Sequence, residues 1–175
     1  MTLAEPARLS PVLSFLPKPL REPRRPWLAI LAGYLLSLIG SLAIAALISL
    51  VAPEAKGPDF GWLKGSGFTA ILVLSVLSPL IETLILVGTT GLLLRFLRPA
   101  HAILLSSLGW AIAHSYQAPI WGLVIWWPFI IFTTLFVVWK QRSLAWGIAM
   151  PFIVHMLQNL LPAVMIGYPG ALPAI

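Results

Sequence analysis

Long apolar runs separated by short charged clusters set the pattern of the chain. Acids and bases gather at 5–25, 54–64, 95–98 and 140–142. Between them, residues 26–53, 99–139 and 143–175 carry no formal charge, and residues 65–94 carry only Glu82. One bilayer crossing needs about 20 apolar residues. The gap 99–139 would make a single helix roughly 60 Å long at about 1.5 Å per residue, which is enough for two crossings. Gln117-Ala118-Pro119 is the expected turn, because the residue before a proline leaves the helical region. The pattern predicts five spans, near 27–51, 68–94, 101–118, 119–139 and 144–167.

Composition sharpens this picture. Of 175 residues, 59% are hydrophobic and only 9% are charged. A soluble domain is roughly a quarter charged. That excludes an ordinary soluble globule, a disordered chain and, despite a net charge of +6, a nucleic-acid binder. Cysteine is absent, which removes disulfides, thiol catalysis and Cys-ligated metal. The expected fold is all-α, a polytopic integral membrane helix bundle of about five transmembrane helices. Residues 1–26 hold six prolines and five of the eleven basic residues, the largest basic cluster of the chain. They read as a cytoplasmic arm on anionic headgroups rather than a cleavable signal peptide, followed by a membrane domain over 27–175. Positive charge alternates from loop to loop, so the positive-inside rule puts the N-terminus in the cytoplasm and the C-terminus outside. Trp27, Trp62, Trp126, Trp127, Trp139 and Trp146 fall near span ends, as interfacial anchors do. Gly88-Thr89-Thr90-Gly91 reads as a small-residue patch for close helix packing.

In so apolar a chain the informative residues are the polar ones at membrane depth. Glu82 is the one charged side chain inside a predicted span. A carboxylate at the bilayer centre costs at least about 2.5–3.5 kcal/mol, so it must face protein, a partner or water. The bland alternative is a protonated glutamate tying two helices together. His114 lies four residues after Trp110, on the same helix face. By itself it suits an interfacial histidine better than a catalytic one. His155 and Asn159 share a stripe of the last span at i,i+4. Interhelical hydrogen bonding would explain them without chemistry. Pro151 should kink that span and open space beside His155. His101 reads as an interfacial histidine.

Two chemistries fit one glutamate, two histidines and an asparagine on three spans. In the first, Glu82 is the general base for a water attacking a peptide carbonyl, and His114 holds the water. His155 and Asn159 then donate hydrogen bonds to the oxyanion. In the second, Glu82, His114 and His155 bind a divalent metal such as zinc, although no His-Glu-x-x-His motif is present.

These residues also carry a family resemblance. Ser78-Pro79-Leu80-Ile81-Glu82-Thr83-Leu84-Ile85-Leu86-Val87-Gly88, Trp110 to His114, and His155 to Asn159 stand in order on separate spans. They resemble the three motifs of the CPBP family of intramembrane proteases, also called Abi or CAAX-protease-like: Glu-Glu-x-x-x-Arg, Phe-x-x-x-His and His-x-x-x-Asn/Asp. The likeness covers about 68–167. The family's second glutamate is Thr83 here, its arginine is Val87, and its phenylalanine is Trp110. The resemblance implies a glutamate-dependent peptidase in a bacterial or archaeal cell membrane. Its substrate would be a membrane-embedded or membrane-anchored protein, such as a C-terminal sorting segment. No cofactor is expected to be obligatory, because the asparagine beside His155 suits oxyanion donation better than metal ligation. The departures at 83 and 87 argue against a prenylated substrate. They keep open a non-catalytic adaptor or immunity protein that retains the peptide pocket. A proton-coupled transporter is the third reading, weakened by the lack of an inverted repeat.

Depth supplies a separate expectation. Counting from the predicted outer ends, Glu82 lies ~21 Å deep, His155 ~18 Å and Asn159 ~12 Å. His114 comes out at only ~6 Å. Either the third span runs past residue 118, or tilt and a recessed outer surface close the gap.

Overall fold

A computed structural model describes residues 13–170, and among them every regular element is helical. A short helix α1 (Lys18–Arg21) precedes five long ones. These are α2 (Pro26–Val51), α3 (Phe68–Leu93), α4 (Pro99–Ser115), α5 (Trp121–Trp139) and α6 (Leu144–Gly167). Four of them, α2, α3, α5 and α6, are long and apolar enough to cross a membrane. α4 has 17 residues and is the short one. It starts two residues before the predicted third span and stops three residues short of its predicted end, while the turn falls where Pro119 placed it. Trp121 N–H closes that turn on the Ala118 carbonyl at 2.9 Å.

α5 is the centre of the bundle. Every residue from Pro128 to Trp139 is buried, and α2, α4 and α6 pack around it. α2 is the peripheral helix, with 11% of its apolar window buried against 67% for α5. Its inward face is a stripe of small residues four apart, Ala29, Gly33, Ser37 and Ser41. Small side chains let helix backbones approach closely where the lipid supplies no hydrophobic drive. A Cβ on Gly40 would overlap the Trp127 indole, whose Nε1 donates to the Leu36 carbonyl at 2.7 Å.

One end of the bundle gathers the starts of α2, α4 and α6 with Arg24, Arg25, Arg98, Lys140 and Arg142. It is called the basic end below. The other, the loop end, holds residues 52–67 and the α4–α5 turn. There Gly67 N–H donates to the Gly167 carbonyl at 2.8 Å and joins α3 to α6. α5 has 19 residues and its antiparallel neighbour α6 has 24. The α4–α5 turn therefore sits about 7 Å below the loop end of α6 at ~1.5 Å per residue.

Three expectations change. Of the arm, residues 1–12 lie outside the described residues. The rest is no loose strap, since Leu13, Leu16 and Leu20 are fully buried in the hydrophobic core. A proline-broken chain can still bury leucines three and four residues apart. The tryptophans divide: Trp27 and Trp62 are exposed, but Trp139 is completely buried and Trp127 is hydrogen-bonded inside. Arg142 lies 5.0 Å over the Trp146 ring and 5.7 Å over Trp139. In the patch at 88–91, both glycines face open space, and the packing residue is Thr90, whose hydroxyl meets that of Ser106 at 2.8 Å.

Candidate functional site

Pro79 shapes the site. A proline has no N–H to give the preceding turn. The turn before it, Leu72–Leu77, is wound as a π-helix, and Ser78 N–H reaches back five residues to the Val73 carbonyl. In that register the Leu74 carbonyl would be bonded by residue 79, which cannot donate. Asn159 Nδ2 donates to it instead, at 3.1 Å. A turn below, Ser75 Oγ donates to the Met156 carbonyl at 2.9 Å. α3 and α6 are thus joined around the proline. π-turns of this kind often mark functional positions in helices.

Glu82 lies one turn beyond the bulge. Ser78 Oγ donates to its Oε1 at 2.6 Å. Its Oε2 is buried and has no hydrogen-bond partner. Facing that oxygen are His114 Nε2 at 3.7 Å and His155 Nε2 at 3.9 Å. Atoms this far apart do not bond directly, but can share one water at about 2.8 Å from each.

Each histidine is held by its neighbours. His114 Nδ1 is 2.9 Å from the Trp110 carbonyl. A carbonyl only accepts, so Nδ1 carries a proton, and in the neutral ring Nε2 offers a lone pair toward Glu82. The spacing of Trp110 and His114 therefore serves through a backbone oxygen as well as through ring contact. His155 is stacked on Phe132, with centroids 4.5 Å apart at 23°. The Phe129 ring stands between the histidines, 5.4 Å from His114 and 5.5 Å from His155.

The group lies at the floor of a cavity of about 350 Å³ among α3, α5 and α6. Pro128 and Pro162 line it, whereas Pro151 does not. Phe60, from the loop before α3, covers the loop-end side and packs edge-on against Trp121 at 5.9 Å. The four residues singled out in sequence, Glu82, His114, His155 and Asn159, all line this space. The depth conflict is resolved by the recessed turn: α4 ends early, and its last turn lies level with the middle of α3 and α6.

Sequence reading missed Ser78 and Gln158. Ser78 carried a signal, being four residues before a lone buried glutamate. Gln158 lines the cavity, and its Oε1 accepts from Ser37 Oγ of α2 at 2.9 Å. Nothing local in the sequence announces a partner 121 residues away.

Compared with family models, curated proteins and solved structures, the chain gives no match. The site is therefore read on its own chemistry.

Proposed function

We propose that this protein is an intramembrane peptidase that hydrolyses a peptide bond in a membrane-embedded or membrane-anchored protein. The observation that carries the reading is the free Oε2 of Glu82, with two histidine Nε2 atoms converging on it in a cavity at mid-depth. Glu82 Oε2 takes a proton from a water held against His114 Nε2 as the water oxygen bonds to the peptide carbonyl carbon. The carbonyl oxygen takes the negative charge and is met by His155, while Asn159, the other oxyanion donor expected from sequence, gives its Nδ2 to the Leu74 carbonyl instead. Collapse breaks the C–N bond, and the leaving nitrogen takes the proton from Glu82. The products are a new carboxyl terminus and a new amino terminus. In this reading the basic end is cytoplasmic and the cavity opens toward the extracytoplasmic half.

Thr83 and Val87 bear on the alternative adaptor reading. They are four residues apart, so a glutamate and arginine there would pair across one turn. Losing one would strand a buried charge; losing both leaves none. Thr83 is fully buried and Val87 packs on the core. The paired loss is thus compatible with an intact fold and an unaltered Glu82.

The test compares cells carrying wild type or Glu82→Gln at equal membrane levels, with protein termini mapped across the membrane proteome by mass spectrometry. Termini made only by wild type, in or beside another protein's transmembrane segment, are expected. Identical maps, with cellular function kept by Glu82→Gln, would move the assignment to the adaptor. Activity lost to a chelator and restored by zinc would replace the water-base chemistry with metal chemistry.

A further inference from the structure

We infer that two backbone carbonyls, those of Val124 on α5 and Gln158 on α6, accept hydrogen bonds from backbone N–H groups of a peptide lying extended in the cavity. This rests on the peptidase reading.

The observation is the placing of prolines. A proline inside a helix cannot donate to the carbonyl four residues earlier. Pro128 interrupts α5 and thereby frees the Val124 carbonyl. Pro162 interrupts α6 and frees that of Gln158. All four residues line the cavity. Where Pro79 frees the Leu74 carbonyl, the protein supplies a replacement, Asn159 Nδ2 at 3.1 Å. It does not do so here. The Val124 carbonyl has Ser41 Oγ at 3.5 Å, outside the usual O–H···O range of about 2.5–3.0 Å. Among the described residues no side chain donates to the Gln158 carbonyl.

Position and chemistry then agree. Val124 is 15 residues back from Trp139, the end of α5, and Gln158 is 14 residues on from Leu144, the start of α6. Both lie about 21–23 Å from the turn that joins these antiparallel helices, and His155 about 17 Å from it, at ~1.5 Å per residue. The two carbonyls are therefore level, about one turn nearer the loop end than His155. A substrate must unwind for its carbonyl to be attacked, and each N–H so released is costly in an apolar surround unless bonded. An extended strand turns successive N–H groups to opposite sides, so one passing between α5 and α6 gives one to each wall. A segment that stays helical has already used its N–H groups and gains nothing there. Backbone acceptors read no side chain, yet they exclude a substrate proline at either position.

The experiment uses the full chain and the same termini map, adding Pro128→Ala, Pro162→Ala and Pro151→Ala to wild type and Glu82→Gln. Each alanine restores an N–H and returns the freed carbonyl to its own helix. Pro151 is the control: it interrupts α6 outside the cavity and frees the Gly147 carbonyl, next to Lys140. Wild-type-dependent termini should fall about tenfold in Pro128→Ala and in Pro162→Ala, the size of one lost hydrogen bond each, and stay unchanged in Pro151→Ala. Membrane levels should be normal, and thermal stability in detergent equal or higher. Wild-type termini in either cavity-lining variant would overturn the assignment. Lactic acid, the hydroxy-acid analogue of alanine, incorporated at position 162 separates the carbonyl from the helix bend, since it has neither ring nor N–H. Retained cleavage is expected; a loss as large as in Pro162→Ala would make the bend the cause and overturn the assignment. If Glu82→Gln keeps the termini, the peptidase reading itself fails, and the assignment falls with it.

Discussion

The two halves of the bundle are built on opposite principles. Toward the basic end, α5 is buried on every side from Thr133 to Trp139, and α1 and the residues before it fill the remaining groove. Toward the loop end, α4 has stopped, α3 is bulged, and a cavity of about 350 Å³ separates the helices. Unpartnered buried polar atoms occur in both halves, Thr134 Oγ1 and Trp139 Nε1 in the solid one. The buried hydroxyls of Thr90 and Ser106 bond each other, as interhelical pairs do. Glu82 Oε2 is left without a partner. A solid half supplies rigidity, and the open half can then hold an unpaired carboxylate without collapsing around it.

The strongest way to break this contrast is Glu82→Gln. It should lower peptide cleavage by about 10²–10⁴-fold, the range of general acid–base catalysis, while leaving thermal stability equal or higher. Retained cleavage would make the open half a mere packing defect. Next in size is Trp139→Ala, in the solid half. Removing a fully buried tryptophan should cost about 3–5 kcal/mol of stability, read by unfolding in mixed micelles, with cleavage per folded molecule unchanged. A matching loss of specific activity would mean the halves are not separable. Asn159→Ala lies at the boundary. It strands the Leu74 carbonyl and should cost about 1–3 kcal/mol, with activity falling alongside because the bulge positions Glu82. Stability held at the wild-type value would show that water satisfies that carbonyl. The smallest effect is expected from Ser78→Ala, about tenfold in cleavage at constant stability, with recovery in Ser78→Thr. No recovery would mean that Ser78 matters for the helix and not for the carboxylate.

Spacing of charge made the spans legible, because formal charge cannot be hidden in lipid; α2, α3 and α6 fall within about a residue of their predicted bounds. Polar residues in those spans made the floor of the site legible, since Glu82, His114 and His155 do converge. What stayed hidden depends on partners far along the chain or on backbone register. The π-turn is a response to Pro79 and Asn159 together, and neither alone specifies it. Gln158 gains meaning only from Ser37. The buried leucines of the arm had a helical spacing, masked by the prolines between them.

That arm carries a consequence in time. Phe15 stacks on Trp127 with centroids 6.3 Å apart, yet the ribosome makes the two residues more than a hundred positions apart. At about 5–20 residues per second, Leu13, Leu16 and Leu20 wait on the order of 6–20 s for the helix that receives them. The groove must stay vacant while four later helices are inserted, so this segment is made well before the helix that seats it. Its docking follows the making of α5, and a chain halted before α5 would still display that leucine segment to whatever surveys unfinished membrane proteins.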